Sequence, residues 1–127
     1  MAESTIVQKL RLKPGNQFLL IDPPAGYQEA LADLPAEVTV LIEAEHPVDV
    51  IQVFVQSQAD LESGLTGWKA LLKPKGILWV TYPKGTSKMH ADLNRDTIWR
   101  FAQTVGMDAV AVFAVDQDWS AMRLKHA

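Results

Sequence analysis

The 127-residue sequence contains no cysteine, which excludes disulfide bonds, zinc–thiolate centres and thiol nucleophiles. It also lacks an excess of positive charge. Its formal net charge is -3, so no overall basic field draws it to nucleic acid or to an anionic membrane. The first residues, Met1 to Gln8, contain no apolar run long enough for a signal peptide or a membrane span. These absences favour a cytoplasmic protein with neither a nucleic-acid partner nor a membrane partner.

The residues that are present have the composition of an ordinary globular domain. Hydrophobic residues make up 48% and charged residues 21% of the chain, close to the usual proportions. A chain of this length normally forms one domain, and it buries roughly two-thirds of its unfolded surface. We therefore expect residues 1–127 to fold as a single domain with one core.

Apolar strands alternate with amphipathic helices along the sequence. Strands are predicted at Phe18–Ile21, Val38–Ile42, Asp49–Val55, Ile77–Tyr82, Ala109–Val115 and Trp119–Lys125. Helices are predicted from Tyr27 to Leu34, from Ser57 to a break at Pro74 and Gly76, and from Asn94 to Gly106. This alternation predicts an α/β fold. We expect a three-layer sandwich, with a mostly parallel Rossmann-like sheet of about six strands that ends in an antiparallel hairpin.

The direction of the second strand is left open by the sequence. A parallel crossover normally needs a dozen or more residues, but only the loop from Glu43 to Val48 is present here. The connection is long enough if the second strand is short and lies at the edge of the sheet. An antiparallel pairing of Val38–Ile42 with Asp49–Val55 is the alternative.

Four stretches carry a resemblance to a known family. They read "LRLKPGNQFLLID", "DVIQVFV", "LLKPKGILWVTYP" and "VDQDWSAMRLK". In this order they resemble a reduced, degenerate form of the class I adenosylmethionine-dependent methyltransferases. The sequence is most similar to a small bacterial family of uncharacterised methyltransferase-like proteins, which share the "YPK" and the closing hairpin. The resemblance implies one methyltransferase-like α/β domain over residues 1–127.

The resemblance also implies where a cofactor would lie. In these enzymes an acidic residue ends the first strand, and glycines follow at every second position. Here Asp22 is followed by Pro24, Gly26 and Gln28 at those positions. Glu43, about 20 residues after Asp22, has the spacing of a ribose ligand. The cofactor-binding candidates are therefore Asp22, Gly26 and Glu43.

Two departures from the methyltransferase pattern argue against a working cofactor site. Pro24 has no N–H group and a fixed φ, so the loop is stiffer and offers fewer donors. The helix, strand and helix that build the adenine pocket are replaced by "EAEHPV". We therefore expect no cofactor and no catalytic residues. The expected function is a non-catalytic scaffold that acts through binding or self-association. The alternatives are a minimal adenosylmethionine-dependent methyltransferase completed by a partner, and an anion- or phosphometabolite-binding protein.

The alternative of anion binding rests on a loop rich in hydrogen-bond donors, "YPKGTSK". Ligands bind beyond the carboxyl ends of strands in open α/β sheets, and this loop follows such an end. The candidate residues are Tyr27, Tyr82, Lys84, Thr86, Ser87 and Lys88. No metal site is expected, because His46, His90 and His126 lack the spacing of metal ligands.

The four tryptophans divide into two pairs. Trp68 and Trp79 fall in core patterns, whereas Trp99 and Trp119 either are half-exposed or cover the ends of the sheet. Half-exposed aromatic residues are enriched in protein interfaces. Trp119 and Trp99 are therefore the candidates for contact with a second copy of the chain or with another protein.

Overall fold

The computed structural model describes residues 9–31, 34–85, 92–116 and 118–127. The strands are β1 (Gln17–Ile21), β2 (Thr39–Leu41), β3 (Val48–Phe54), β4 (Leu72–Pro83), β5 (Met107–Ala114) and β6 (Trp119–His126). The helices are α1 (Gln58–Ala70) and α2 (Arg95–Thr104), and a 3-10 helix covers Gln28–Leu31. No helix in the described ranges is long and apolar enough to cross a membrane.

The strands form one mixed sheet in the order β2-β1-β3-β4-β6-β5. β1 to β4 are parallel, and β6 pairs antiparallel with both β4 and β5. The predicted sheet, mostly parallel with a closing antiparallel hairpin, is confirmed. Because the first four strands are parallel, their carboxyl ends meet at one edge, which we call the carboxyl edge.

β2 is parallel, so the antiparallel alternative is wrong. It has three residues, lies at the outside of the sheet and pairs with β1, with Gln17 opposite Thr39. The chain then returns to β3 through residues 42–47 only. Six extended residues span about 20 Å, whereas β2 and β3 lie about 10 Å apart with β1 between them. The short link is therefore sufficient, and its Ala44 packs against the core where a helix could have lain.

Residues alternate between two apolar layers, one on each face of the sheet. α1 and α2 cover one face, with Leu61, Leu65 and Ile98 among the residues packed on it. The other face is covered by Leu10, Leu12, Tyr27 and Leu31, which precede or follow β1. Both faces of β1, β3 and the second half of β4 are therefore buried, as their continuous apolar sequence predicted.

α1 ends earlier than the sequence predicted, and β4 begins earlier. The helix was expected to continue to a break at Pro74 and Gly76, but both residues lie within β4. Val48 pairs with Leu72, whereas Val50 already pairs with Ile77. The extra residues of β4 form a bulge in the ladder. A bulge tolerates a proline, which has no N–H group for regular pairing.

Candidate functional site

The loop after β1 is a closed turn at the carboxyl edge. The N–H group of Tyr27 donates to the carbonyl oxygen of Pro24 at 3.1 Å. Gly26 has φ 82°, the value that the third residue of a type II turn requires. Two of the loop's nitrogens belong to Pro23 and Pro24, which have no N–H group, and the N–H of Tyr27 is used within the turn. The loop is therefore poor in the donors that hold a phosphate or a carboxylate.

Three aromatic rings close the same edge on the face opposite the helices. Phe54 ends β3, and its ring packs edge-to-face against Tyr27 and Trp119, at centroid distances of 4.7 and 5.2 Å. All three residues are only 6% exposed. Of the two alternatives for Trp119, a ring that covers the end of the sheet is the one observed. Its strand pairs with β4 at Pro83, which places the ring over Phe54 and away from the outer side of the hairpin.

A buried polar chain lies directly beneath these rings. The Tyr27 hydroxyl donates to Gln52 Oε1 at 2.8 Å, and Gln52 Nε2 donates to the Thr81 hydroxyl at 3.0 Å. Gln52 and Thr81 are fully buried. Burial raises the pKa of Tyr27 to about 12, and the charge of Asp116 acts in the same direction. These hydrogen bonds connect the loop after β1 to the two central strands, β3 and β4, and so hold the turn in its closed form.

The buried hydroxyl of Tyr27 predicts a loss of stability at alkaline pH. Below pH 10 the phenol is neutral in both the folded and the unfolded chain. Between pH 10 and about 12 only the unfolded chain ionises, so the free energy of unfolding falls, by about 1.4 kcal/mol per pH unit. Urea unfolding should show a wild-type loss roughly 2–3 kcal/mol larger than that of Tyr27→Phe. Equal losses in the two proteins would contradict this assignment.

Glu43 lines a cavity that contains neither of the other two cofactor candidates. This cavity has a volume of 290 Å³ and also contains Gln17, Glu45 and His46. Gln17 begins β1, whereas Asp22 and Gly26 follow the end of that strand. The short link after β2 turns back at once toward the start of β3. This course explains why the residue with the spacing of a ribose ligand shares a cavity with the opposite end of β1.

A second cavity at the carboxyl edge contains two of the predicted anion-binding residues. It has a volume of 340 Å³ and is lined by Tyr82, Lys84, Gly85, Leu93, Asn94, Arg95 and Ser120. The pKa of Tyr82 is raised by burial, and the positive charge of Arg95 offsets only part of that rise. The backbone N–H of Lys84 donates to Asp118 at 2.8 Å. Thr86, Ser87 and Lys88 lie outside the described residues.

Several residues of this edge were missed by the sequence analysis. Gln52 and Phe54 were interpreted only as parts of an apolar strand, and Arg95 only as part of a helix start. A lone glutamine within "DVIQVFV" was the available signal, because a buried amide requires polar partners.

Trp99 is 44% exposed, as predicted. His126 is half-buried, and its ring contacts the Leu72 carbonyl. The described ranges contain no group of three or more His, Asp or Glu side chains suited to a metal ion.

The sequence matches a family model described as "Protein of unknown function (DUF3052)" over residues 24–127. The chain belongs to the DUF3052 family. No curated protein matches the sequence. Family membership names no activity, so evidence on function comes from the structure.

Solved structures of similar fold are adenosylmethionine-dependent methyltransferases and related enzymes. A ribosomal protein methylase from Lactobacillus delbrueckii subsp. bulgaricus has a TM-score of 0.66 and 9% identity, over 94% of this chain and 74% of that one. The cyclopropane synthase of Mycobacterium tuberculosis has a TM-score of 0.65 and 10% identity, over 93% of this chain and 80% of that one. Magnesium protoporphyrin IX methyltransferase from Synechocystis, solved with bound SAM, has a TM-score of 0.62 and 10% identity, over 90% of this chain and 71% of that one. At this identity the likeness shows the fold alone. The DUF3052 chain has a methyltransferase-like fold.

Proposed function

We propose that this DUF3052 chain is a non-catalytic member of the methyltransferase-like fold that acts through binding. The observation that carries the proposal is the link of residues 42–47, which runs directly from β2 to β3. Methyltransferases build the adenine side of their cofactor pocket in that interval. Here Ala44 packs on the core instead, and Glu43 shares a cavity with Gln17.

The closed turn after β1 supports the same proposal. A cofactor loop needs free backbone N–H groups and close access to the backbone. Pro23 and Pro24 supply no N–H group, and the N–H of Tyr27 is already bonded to Pro24. Opening the turn would also separate the Tyr27 hydroxyl from Gln52. Adenosylmethionine would therefore have to break a buried hydrogen-bond chain in order to bind there.

Calorimetric titration with adenosylmethionine and adenosylhomocysteine tests the proposal. We expect neither compound to bind more tightly than about 100 μM, a free energy of roughly -5.5 kcal/mol. The control is the Synechocystis methyltransferase that was solved with bound SAM, titrated under the same conditions. Tighter binding, lost in Glu43→Gln or in Gly26→Val, would instead favour a minimal methyltransferase. Binding that requires a second protein would favour an enzyme completed by a partner.

The 340 Å³ cavity at the carboxyl edge favours a second candidate function, the binding of a small anion. Lys84 and Arg95 both line it, and the hydroxyls of Tyr82 and Ser120 are at its wall. Two cations and two hydroxyl groups form a suitable set of partners for a phosphate or sulfate oxygen.

Thermal unfolding in sulfate or phosphate tests this second candidate. At 100 times its dissociation constant, the anion should stabilise the fold by about 2.7 kcal/mol. The stabilisation should disappear in Lys84→Gln/Arg95→Gln and persist in Arg100→Gln, which removes an exposed charge elsewhere on α2. No anion effect, or an equal effect in the double variant, would rule this cavity out.

Self-association is proposed through Trp99 only. Trp119 is buried, so it offers no surface to a partner. Trp99 lies on α2, which packs next to the outermost strand β5. β5 also exposes Val110 and Val112, and an unpaired apolar edge strand can pair with a second copy of itself. A homo-oligomer formed at this edge is the partner that these residues favour.

A further inference from the structure

A basic groove lies on the face opposite the helices, near the starts of β3 and β4. Its cationic residues are Lys9, Arg11, Lys13, Lys73 and Lys75. Two adjoining cavities form it. The smaller has 170 Å³ and contains Arg11, Lys13, Lys73 and Lys75. The larger has 370 Å³ and is lined by Lys9, Arg11, Trp79, Ala111, Val112 and Phe113. Arg11 lines both cavities, so they are neighbours.

The groove is strongly basic although the whole chain has a net charge of -3. Asp49 is the one carboxylate among the described residues that line either cavity. It accepts a hydrogen bond from the Gln17 N–H at 2.8 Å and forms a salt bridge with Lys73 at 3.0 Å. Burial raises the pKa of Asp49, but these contacts outweigh it and the pKa is lowered. Asp49 and Lys73 therefore neutralise each other, and the remaining cations face the cavities without a carboxylate there.

Arg123 is the second observation that indicates a ligand. It pairs with Trp79 of β4 and Ala111 of β5, so its side chain lies on the face that carries the larger cavity. Its Nε atom is buried and has no hydrogen-bond partner in the described part of the chain. Desolvation lowers the pKa of Arg123, and the charge of Arg11 lowers it further. Two like charges this close together are unfavourable, and an anion bound at Arg11 would reduce the repulsion between them.

Arg11 holds its position at a further cost. Its φ is 62°, in the left-handed region that residues with a Cβ atom seldom adopt. Such outliers cluster at binding sites, where the surrounding structure enforces them. Arg11 thus combines an unfavourable backbone conformation with repulsion from Arg123. No carboxylate that lines these cavities is free to offset that repulsion.

We propose that the basic groove binds an organic phosphate. The phosphate group occupies the smaller cavity and accepts hydrogen bonds from Arg11, Lys13 and Lys75. A flat or apolar body lies in the larger cavity beside Phe113, and Lys9 Nζ lies 5.6 Å from the centroid of that ring. Typical ligand pockets measure roughly 300–1,000 Å³. The smaller cavity alone is below that range, whereas the two cavities together lie within it. This favours a ligand that has both a phosphate and an apolar part over a free anion. This site is separate from the carboxyl edge and does not depend on the absence of methyl transfer.

Adenosine 5′-monophosphate and phenyl phosphate are suitable probes, because each joins a phosphate to a flat ring. Arginine Nε–H signals, observed by ¹⁵N NMR, report on Arg11, which contacts the phosphate, and on Arg123 beside it. We expect saturable shifts of both signals with both probes, and weaker binding of inorganic phosphate and of adenosine. Arg11→Gln should weaken binding roughly ten- to a hundred-fold, as expected for loss of a charged hydrogen bond. Lys75→Gln, a second and exposed position, should act in the same direction. Arg100→Gln is the matched control and should leave the affinity unchanged.

Four results would overturn the proposal. The first is no shift with either probe at millimolar concentration. The second is inorganic phosphate binding as tightly as the two esters. The third is an affinity that Lys84→Gln lowers and Arg11→Gln does not, which would place the ligand at the carboxyl edge. The fourth is much tighter binding of a single-stranded oligonucleotide with a steep salt dependence, which would identify a nucleic-acid surface.

Discussion

Replacement of Trp119 by alanine is expected to lower the free energy of unfolding by about 3–5 kcal/mol. The side chain is 6% exposed and its ring packs on Phe54, which in turn packs on Tyr27. Removal of the indole would leave a cavity at the carboxyl edge and would take a partner from the ring of Phe54. Urea unfolding measures the loss. Because the total stability of a domain is typically 5–15 kcal/mol, much of it depends on this residue.

Trp99→Ala is the matched control. Trp99 is 44% exposed, so the same truncation should change stability by less than about 1 kcal/mol. Sedimentation should show the opposite order of effects: Trp99→Ala weakens self-association, and Trp119→Ala leaves it unchanged. A stable Trp119→Ala protein with altered assembly would show that Trp119 is an interface residue after all.

Replacement of Gln52 by leucine is expected to cost about 2–6 kcal/mol, although leucine is apolar and similar in size. The Tyr27 hydroxyl would lose its acceptor, and the Thr81 hydroxyl would lose its donor. A buried polar group without a partner costs about 1–3 kcal/mol. The variant therefore leaves two such groups, and urea unfolding measures the sum.

The triple variant Tyr27→Phe/Gln52→Leu/Thr81→Val provides the control. It removes all three polar groups together, so no buried donor or acceptor remains unpaired, and stability should return close to that of the wild type. If Gln52→Leu costs as much in the Tyr27→Phe/Thr81→Val background as in the wild type, its effect comes from packing and not from the hydrogen-bond chain.

Much of the fold could be predicted from the sequence because its signals are local. Continuous apolar runs gave β1 and β3, and side-chain caps at Ser57 and Asn94 gave the starts of both helices. The direction of β2 could not be predicted, because it depends on how a short link crosses β1. The early start of β4 was also missed. Pro74 and Gly76 normally indicate a break, and only the pairing with β3 shows that they form a bulge.

The candidate sites were harder to predict, since they depend on contacts between distant residues. Trp119 was a candidate for a half-exposed interface residue, but Phe54, far away in sequence, covers its ring. Glu43 has the spacing of a ribose ligand, yet the short link places it with Gln17. The basic groove joins residues of four separate segments. Net charge conceals it, because acidic residues elsewhere outnumber the basic ones.

The central claim, that the cofactor position of this methyltransferase-like fold is closed, is tested most directly at Gly26. Its backbone amide lies in the turn that would have to open for adenosylmethionine. An ¹⁵N NMR titration should leave the amide signals of Asp22, Gly26 and Tyr27 unmoved at cofactor concentrations up to about 1 mM, a free energy of roughly -4.1 kcal/mol. Saturable shifts of these amides, together with that of Glu43, would contradict the account.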